Sequence, residues 1–157
     1  MVQPITAENA KLYVFFEASG LTLAVSYNGI REVIPYTKPV PVPGAPSYIA
    51  GIINFGGQVC PVVSINRIAG TEKTIISGRR RIIMLESPEN SSVLLGLLAD
   101  YFLGSARIKA SEIKPLNSSA GVLNPGCLEG EVRSREGTAF IFLPFVFFKE
   151  LEYLNLK

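Results

Sequence analysis

Catalysis near neutral pH needs side chains that exchange protons, hold metals or attack electrophiles, and few are present here. The 157-residue chain has no histidine. That excludes a Ser-His or Cys-His nucleophile pair, an imidazole metal ligand and the usual neutral-pH acid or base. Cys60 and Cys127 stand far apart and form no CxxC, so neither a thiolate zinc site nor a redox pair is indicated. They read as reduced core thiols, with a structural disulfide as the alternative. Carboxylates occur, but no spacing pairs two of them across a substrate. Asp100, after the apolar run at 93–98, invites a catalytic reading and fits better as a strand-end or turn carboxylate. The expectation is a protein without enzymatic activity, cofactor or metal.

Two motifs look like ligand sites and fail on inspection. Gly51-Ile52-Ile53-Asn54-Phe55-Gly56-Gly57-Gln58 spaces its first glycines like a phosphate-binding loop. It puts Gly57 where the lysine belongs and Gln58 where the hydroxyl belongs, so nothing reaches the terminal phosphates or magnesium. The run Arg79-Arg80-Arg81, with Lys73, could touch phosphates, but no aromatics interleave it and the net charge is only +2. A solvated loop is the simpler reading, and no nucleic-acid partner is expected. Pro43-Gly44-Ala45-Pro46 lacks the flanking charge of a PxxP ligand, and the sequons at Asn90 and Asn117 matter only in a secreted chain.

The elements that position these residues are strands. Hydrophobic residues make up 48% and charged residues 18%, and 14 glycines and 11 prolines break the chain often. Such a composition excludes disorder and favours short strands. Over residues 11–18, Leu12, Val14, Phe16 and Ala18 share one face. Ser19-Gly20 then turns into the alternation of Leu21, Leu23 and Val25. Gly56-Gly57 joins the runs 50–54 and 58–65 as a type I′ hairpin. Strand patterns recur at 81–86, 92–98, 127–133 and 138–143. Residues 27–32 suit a helical turn, and the prolines of 35–46 a loop or sheet edge. Helical spacing is confined to the end, after Pro144, where Phe148, Leu151 and Leu154 share a side. Core packing is the first reading of the five phenylalanines at 140–148, and a partner patch the second. The opening residues lack the basic and apolar regions of a signal peptide, and the longest apolar run is ten residues, at 139–148. A spanning helix needs ~20, so a cytoplasmic protein without membrane insertion is expected.

Residues 42–63, from Val42-Pro43 through Gly51-Ile52-Ile53-Asn54-Phe55-Gly56-Gly57 to Pro61-Val62-Val63, resemble the signature region of the CheW family of chemotaxis coupling proteins. Leu23-Ala24-Val25 with Gly29-Ile30-Arg31-Glu32-Val33-Ile34, Gly96-Leu97-Leu98-Ala99-Asp100, Gly130 and the closing 139–151 are also similar to that family. The resemblance implies an all-β fold of two intertwined five-stranded SH3-like barrels with a short C-terminal helix. One CheW-like domain would span 1–157, with lobe one at about 18–75, lobe two at about 76–157, and an N-terminal strand that both can share.

The implied role is a noncatalytic adaptor between methyl-accepting chemoreceptor signalling tips and the regulatory domain of a CheA-type histidine kinase. Glu32, Ile34, Asn54, Gly56, Gly57 and Asp100 are the implied partner-binding residues, with the receptor in a groove between the lobes. Gly56 stands where the family pattern has arginine, and Ser64 where it has aspartate. The guanidinium's five donors are therefore missing. These departures suit a divergent member in a nonflagellar pathway such as pilus control. A small-barrel ligand or nucleic-acid module built on Arg79–Arg81 is the other alternative. The low charge fraction is expected to mean an exterior partly covered by partners.

Overall fold

In the computed structural model, residues 10–69, 78–117, 125–135 and 137–153 are described. Lys73, Ser118, Ser119, Leu154, the opening residues and most of the polar break at 71–80 lie outside them. Ten strands form: β1 (Ala10–Ala18), β2 (Leu21–Ser26), β3 (Ile30–Pro35), β4 (Ile49–Phe55), β5 (Gln58–Val63), β6 (Arg81–Glu86), β7 (Leu94–Ala99), β8 (Tyr101–Lys109), β9 (Leu128–Ser134) and β10 (Gly137–Phe142). Two helices, α1 (Ile65–Ile68) and α2 (Phe145–Tyr153), and short 3-10 turns complete the described elements. Neither helix is long and apolar enough to cross a membrane.

The strands form two five-stranded sheets, ordered β8-β1-β2-β10-β9 and β3-β6-β7-β5-β4. All pairs are antiparallel except β2 with β10 and β5 with β7. The two sheets do not divide the chain at a single point. The second sheet takes the contiguous stretch from β3 to β7, and the first takes β1 and β2 together with β8, β9 and β10. The polar break therefore joins β5 to β6 within one sheet. It belongs to the crossover that brings β7 parallel to β5, since parallel strands cannot be joined by a tight turn.

Both faces of the central strands are buried. Val14, Phe16, Leu23 and Val25 of the first sheet and Ile83, Leu85, Leu95 and Leu97 of the second meet in a core between the sheets. Their neighbours turn the other way. Tyr13, Phe15, Ala24 and Ile141 fill the first barrel, and Ile82, Met84, Leu98, Val62 and Cys60 fill the second. Burying each large side chain contributes ~1.5–3 kcal/mol, so the pattern stabilises both barrels and their junction together. It also accounts for much of the low charge fraction, since central strands buried on both faces have few positions for charge.

Two-residue turns close β1–β2 and β4–β5. Ser19 and Gly20 have φ of 56° and 74°, and Gly56 and Gly57 have 57° and 86°. Positive φ at both central residues is the I′ geometry that matches strand twist. The glycine-rich segment is thus a strand–turn–strand hairpin with no helix behind it. Gly51, inside β4, has φ 151°, and a Cβ there would stand 2.4 Å from the Val40 carbonyl oxygen. That close approach lets Val40 and Ile52 exchange two 2.9 Å backbone hydrogen bonds, so part of the proline-rich segment covers the outer edge of β4.

Helix α2 docks through Phe147, Phe148 and Leu151, which join the central core. Phe147 meets Tyr48 edge-on at 5.3 Å and stacks on Phe142 at 5.7 Å. Four of the five clustered phenylalanines are buried, and Phe145 stays 41% exposed.

Asp100 links β7 to β8, where the chain passes from one sheet to the other. It is 3% exposed, which fits a strand-end or turn carboxylate. Its N–H donates to the Glu17 carbonyl at 2.8 Å. Its carboxylate accepts from Ser19 N at 3.3 Å and from Asn66 Nδ2 at 3.0 and 3.1 Å. Ser19 lies in the first sheet's turn and Asn66 in α1, after the second sheet's β5, so one carboxylate ties both sheets. Asp100→Ala strands those donors in the interior, and we expect a loss of ~2–3 kcal/mol. Thermal unfolding should then begin roughly 4–12 °C lower; an unchanged midpoint would show that the clamp carries no energy.

Burial also disfavours several ionised forms. It pushes the Cys60 and Cys127 thiols up, and the Tyr13 phenol up with help from Glu129. Tyr48 is pushed from 10.0 up to about 12, first by burial and then by the Glu150 carboxylate. The unfolded chain therefore releases this proton first. Stability from Tyr48 should be fully present below pH 10.0 and lost as pH rises through about 12. Urea titrations from neutral to alkaline pH should show a shallower loss in that window for Tyr48→Phe than for the parent. Equal slopes would contradict the assignment.

Candidate partner-binding surface

The five remaining site residues stand on the second barrel. Glu32 and Ile34 lie on β3, one edge of the sheet, and Asn54, Gly56 and Gly57 lie at the β4–β5 hairpin, on the other edge. Glu32, Asn54, Gly56 and Gly57 are exposed, and Ile34 is half-buried. Ile34 and Phe55 both pack on the second barrel's interior, which draws the two edges around one small core. On the same strand Ile30 and Val33 turn toward the central core.

At the hairpin tip, Asn54 Oδ1 accepts from Gly57 N at 2.9 Å. This side chain braces the turn from one strand end and is itself exposed. Gly56 has open space where a Cβ would go, but its φ of 57° favours glycine. Ser64 caps α1, its Oγ accepting from Arg67 N at 3.3 Å. Serine and aspartate are comparable N-caps, so this departure from the family pattern preserves the helix start while removing a charge.

A loop that the sequence reading left unused organises this surface. The loop between β6 and β7 presents the Ser91 and Ser92 carbonyls, which accept from Arg31 Nη2 and Gln58 Nε2, each at 2.8 Å. Arg31 also pairs with Glu86, next to that loop. On its other flank Lys149 of α2 reaches Glu89 at 2.8 Å. The loop therefore connects β3, the hairpin and the terminal helix, beside the exposed side chains of Val59 on β5 and Val93. Arg31 and Gln58 fall within the segments quoted for the family, but their shared target is sixty and thirty-four residues away, respectively. Local patterning could not find that convergence.

The basic run folds back on the protein. The Arg80 guanidinium lies 3.9 Å from the centre of the Tyr36 ring, and Arg81 Nη1 donates to the Gly78 and Arg80 carbonyls. Arg81 opens β6 and both side chains are half-buried, so these two arginines are engaged with the protein and do not form the solvated loop that was expected. Among the described residues no group of three His, Cys, Asp or Glu side chains is placed to hold a metal.

Comparison with known proteins gives the same direction. A family model, the CheW-like domain, matches residues 12–146. Protein FrzA of Myxococcus xanthus is 30% identical over 100 residues, 64% of this chain and 61% of that protein. The chemotaxis protein CheW of Rhizobium meliloti is 28% identical over 102 residues, 65% of this chain and 64% of that protein. The chain thus aligns with somewhat less than two thirds of these relatives' own lengths. The crystal structure of the scaffolding protein TtCheW from Thermoanaerobacter tengcongensis has the same fold, with a TM-score of 0.74 at 22% identity over 90% of both chains. With a double barrel of this topology and a family match across most of its length, the chain belongs to the CheW family.

Proposed function

We propose that this protein is a noncatalytic coupling adaptor that joins chemoreceptor signalling tips to the regulatory domain of a CheA-type histidine kinase, in cytoplasmic receptor arrays. The observation that carries the reading is a family-typical double barrel presenting the β3 edge and the β4–β5 hairpin from one braced surface. Glu32 and Ile34 would supply a charge and an apolar contact. The Asn54 N–H groups and the outward backbone at Gly56 and Gly57 would supply polar contacts. A protein acting in this way transmits through surfaces, and the chain's lack of histidine costs it nothing. Asp100 would serve this surface indirectly, by fixing one barrel against the other.

Gly56 favours weak receptor contact over the usual strength, as in a divergent nonflagellar pathway. An arginine there would restore a forked donor at the exposed turn. It would also hold a side chain in the left-handed region, at a cost of ~1–2 kcal/mol.

Calorimetric titration against cognate receptor-tip peptides and the kinase regulatory domain tests the adaptor reading. Binding to both is expected, and binding to neither would sink it. In the same assay Gly56→Arg should tighten receptor-tip binding by about tenfold, the effect of ~1.4 kcal/mol, with kinase binding unchanged. Unaltered receptor affinity would remove Gly56 as the cause of weak coupling.

A further inference from the structure

The first sheet ends in two edges of its own. β8 pairs only with β1, and β9 pairs only with β10 within the sheet. Lys114 exchanges two backbone hydrogen bonds with Glu131 and so covers the middle of β9. Past that point the end of β9 faces β8 across a half-open groove of about 560 Å³. Phe15, Ile108 and Val132 form its apolar floor, and Arg107, Arg133 and Arg135 stand exposed along its walls. Among the described residues none of these arginines is in an ion pair. Among the described residues that line the groove the one carboxylate, Glu112, is committed to its own turn, where Oε1 accepts from Lys109 N at 2.8 Å.

We propose that this groove binds an extended acidic peptide segment of a partner protein, added alongside a free strand edge. Unpaired backbone N–H and C=O groups on the strand edges supply the main-chain ladder. Alternate side chains of the guest would point to the apolar floor and to the arginines. Arg133 stands on β9 and Arg135 in the turn just past its end, so both guanidinium groups lie beside a guest laid along this edge. Guanidinium groups match carboxylates with paired hydrogen bonds, which sets the preference for acidic residues. A single nucleic-acid strand would instead require exposed rings for stacking, and Phe15 is 8% exposed. The groove lies on the barrel that carries neither the β3 edge nor the β4–β5 hairpin, so both surfaces can be occupied together.

Fluorescence anisotropy of the full chain with a labelled alternating Glu-Val peptide of about ten residues tests this, with an alternating Lys-Val peptide as control. Saturable binding of the acidic peptide is expected, weakening as salt rises. The double variant R107E/R133E should reduce it by at least about tenfold, and Arg135→Gln should reduce it less. All three side chains are exposed, so unchanged circular dichroism will confirm folding. Amide shifts on peptide addition should fall at 103–107 and 132–135. Equal binding of both peptides, an unaffected double variant, shifts centred on 54–57, or tighter binding of a thymidine oligomer would each overturn the proposal.

Discussion

Because β1, β2, β6 and β7 send alternate side chains into their own barrel and into the core between the sheets, neither sheet is complete alone. Separating the barrels would expose Phe16, Leu23, Ile83, Leu85 and Leu97, all at most 1% exposed in the intact molecule. At ~1.5–3 kcal/mol per side chain, exposing that surface costs about as much as one domain's whole net stability. The junction is thus more deeply buried than an ordinary interface between domains. One consequence is rigidity. Sites on different barrels are held at fixed separation by packed side chains, which suits the proposed adaptor role.

Polar groups at this junction are few and specific. Asp100 bridges the β1–β2 turn and α1 at the point where the chain changes sheets. At the periphery the loop between β6 and β7 performs a comparable task in more solvated surroundings, collecting Arg31, Gln58 and Lys149. Exposed ion pairs such as Lys149–Glu89 contribute little individually. Their role here is geometric, since they converge on one short loop beside Val59 and Val93. The second barrel consequently offers a braced face of mixed character, whereas the first offers a basic one.

Much of this architecture was legible in the residues. The alternation of β1, the glycine pair of the β4–β5 hairpin, β6 and the terminal helix after Pro144 all carry local signals, and all formed as read. β8 was not read as a strand. It is an edge strand, half-exposed over Tyr101–Lys109 and interrupted by Gly104 at φ 108°, so its two faces do not contrast. How the strands are shared between the sheets was not legible, because a polar segment looks alike whether it joins two barrels or two strands of one sheet. Asp100 read as a strand-end or turn carboxylate, but its partners Asn66 and Ser19 are ones that only the tertiary fold brings near. The family resemblance supplied the double barrel and the hairpin surface. The arginine-walled groove depends on β8 and on a meeting of edges that no short-range pattern records.

The order of the strands along the chain also bears on how the molecule is made. The second sheet uses one continuous stretch, β3 to β7, and its partners can meet as soon as that stretch is available. The first sheet cannot close until β8 reaches β1, a pairing that joins Ala10 to Lys109. Such distant pairings are slow to form. During synthesis all strands of the second sheet are therefore available while the central-core face of β6 and β7 is still uncovered, waiting for the rest of the chain. Ile83, Leu85, Leu95 and Leu97 would be the surface that a chaperone meets first, and the interval before β10 arrives the time in which aggregation competes with folding.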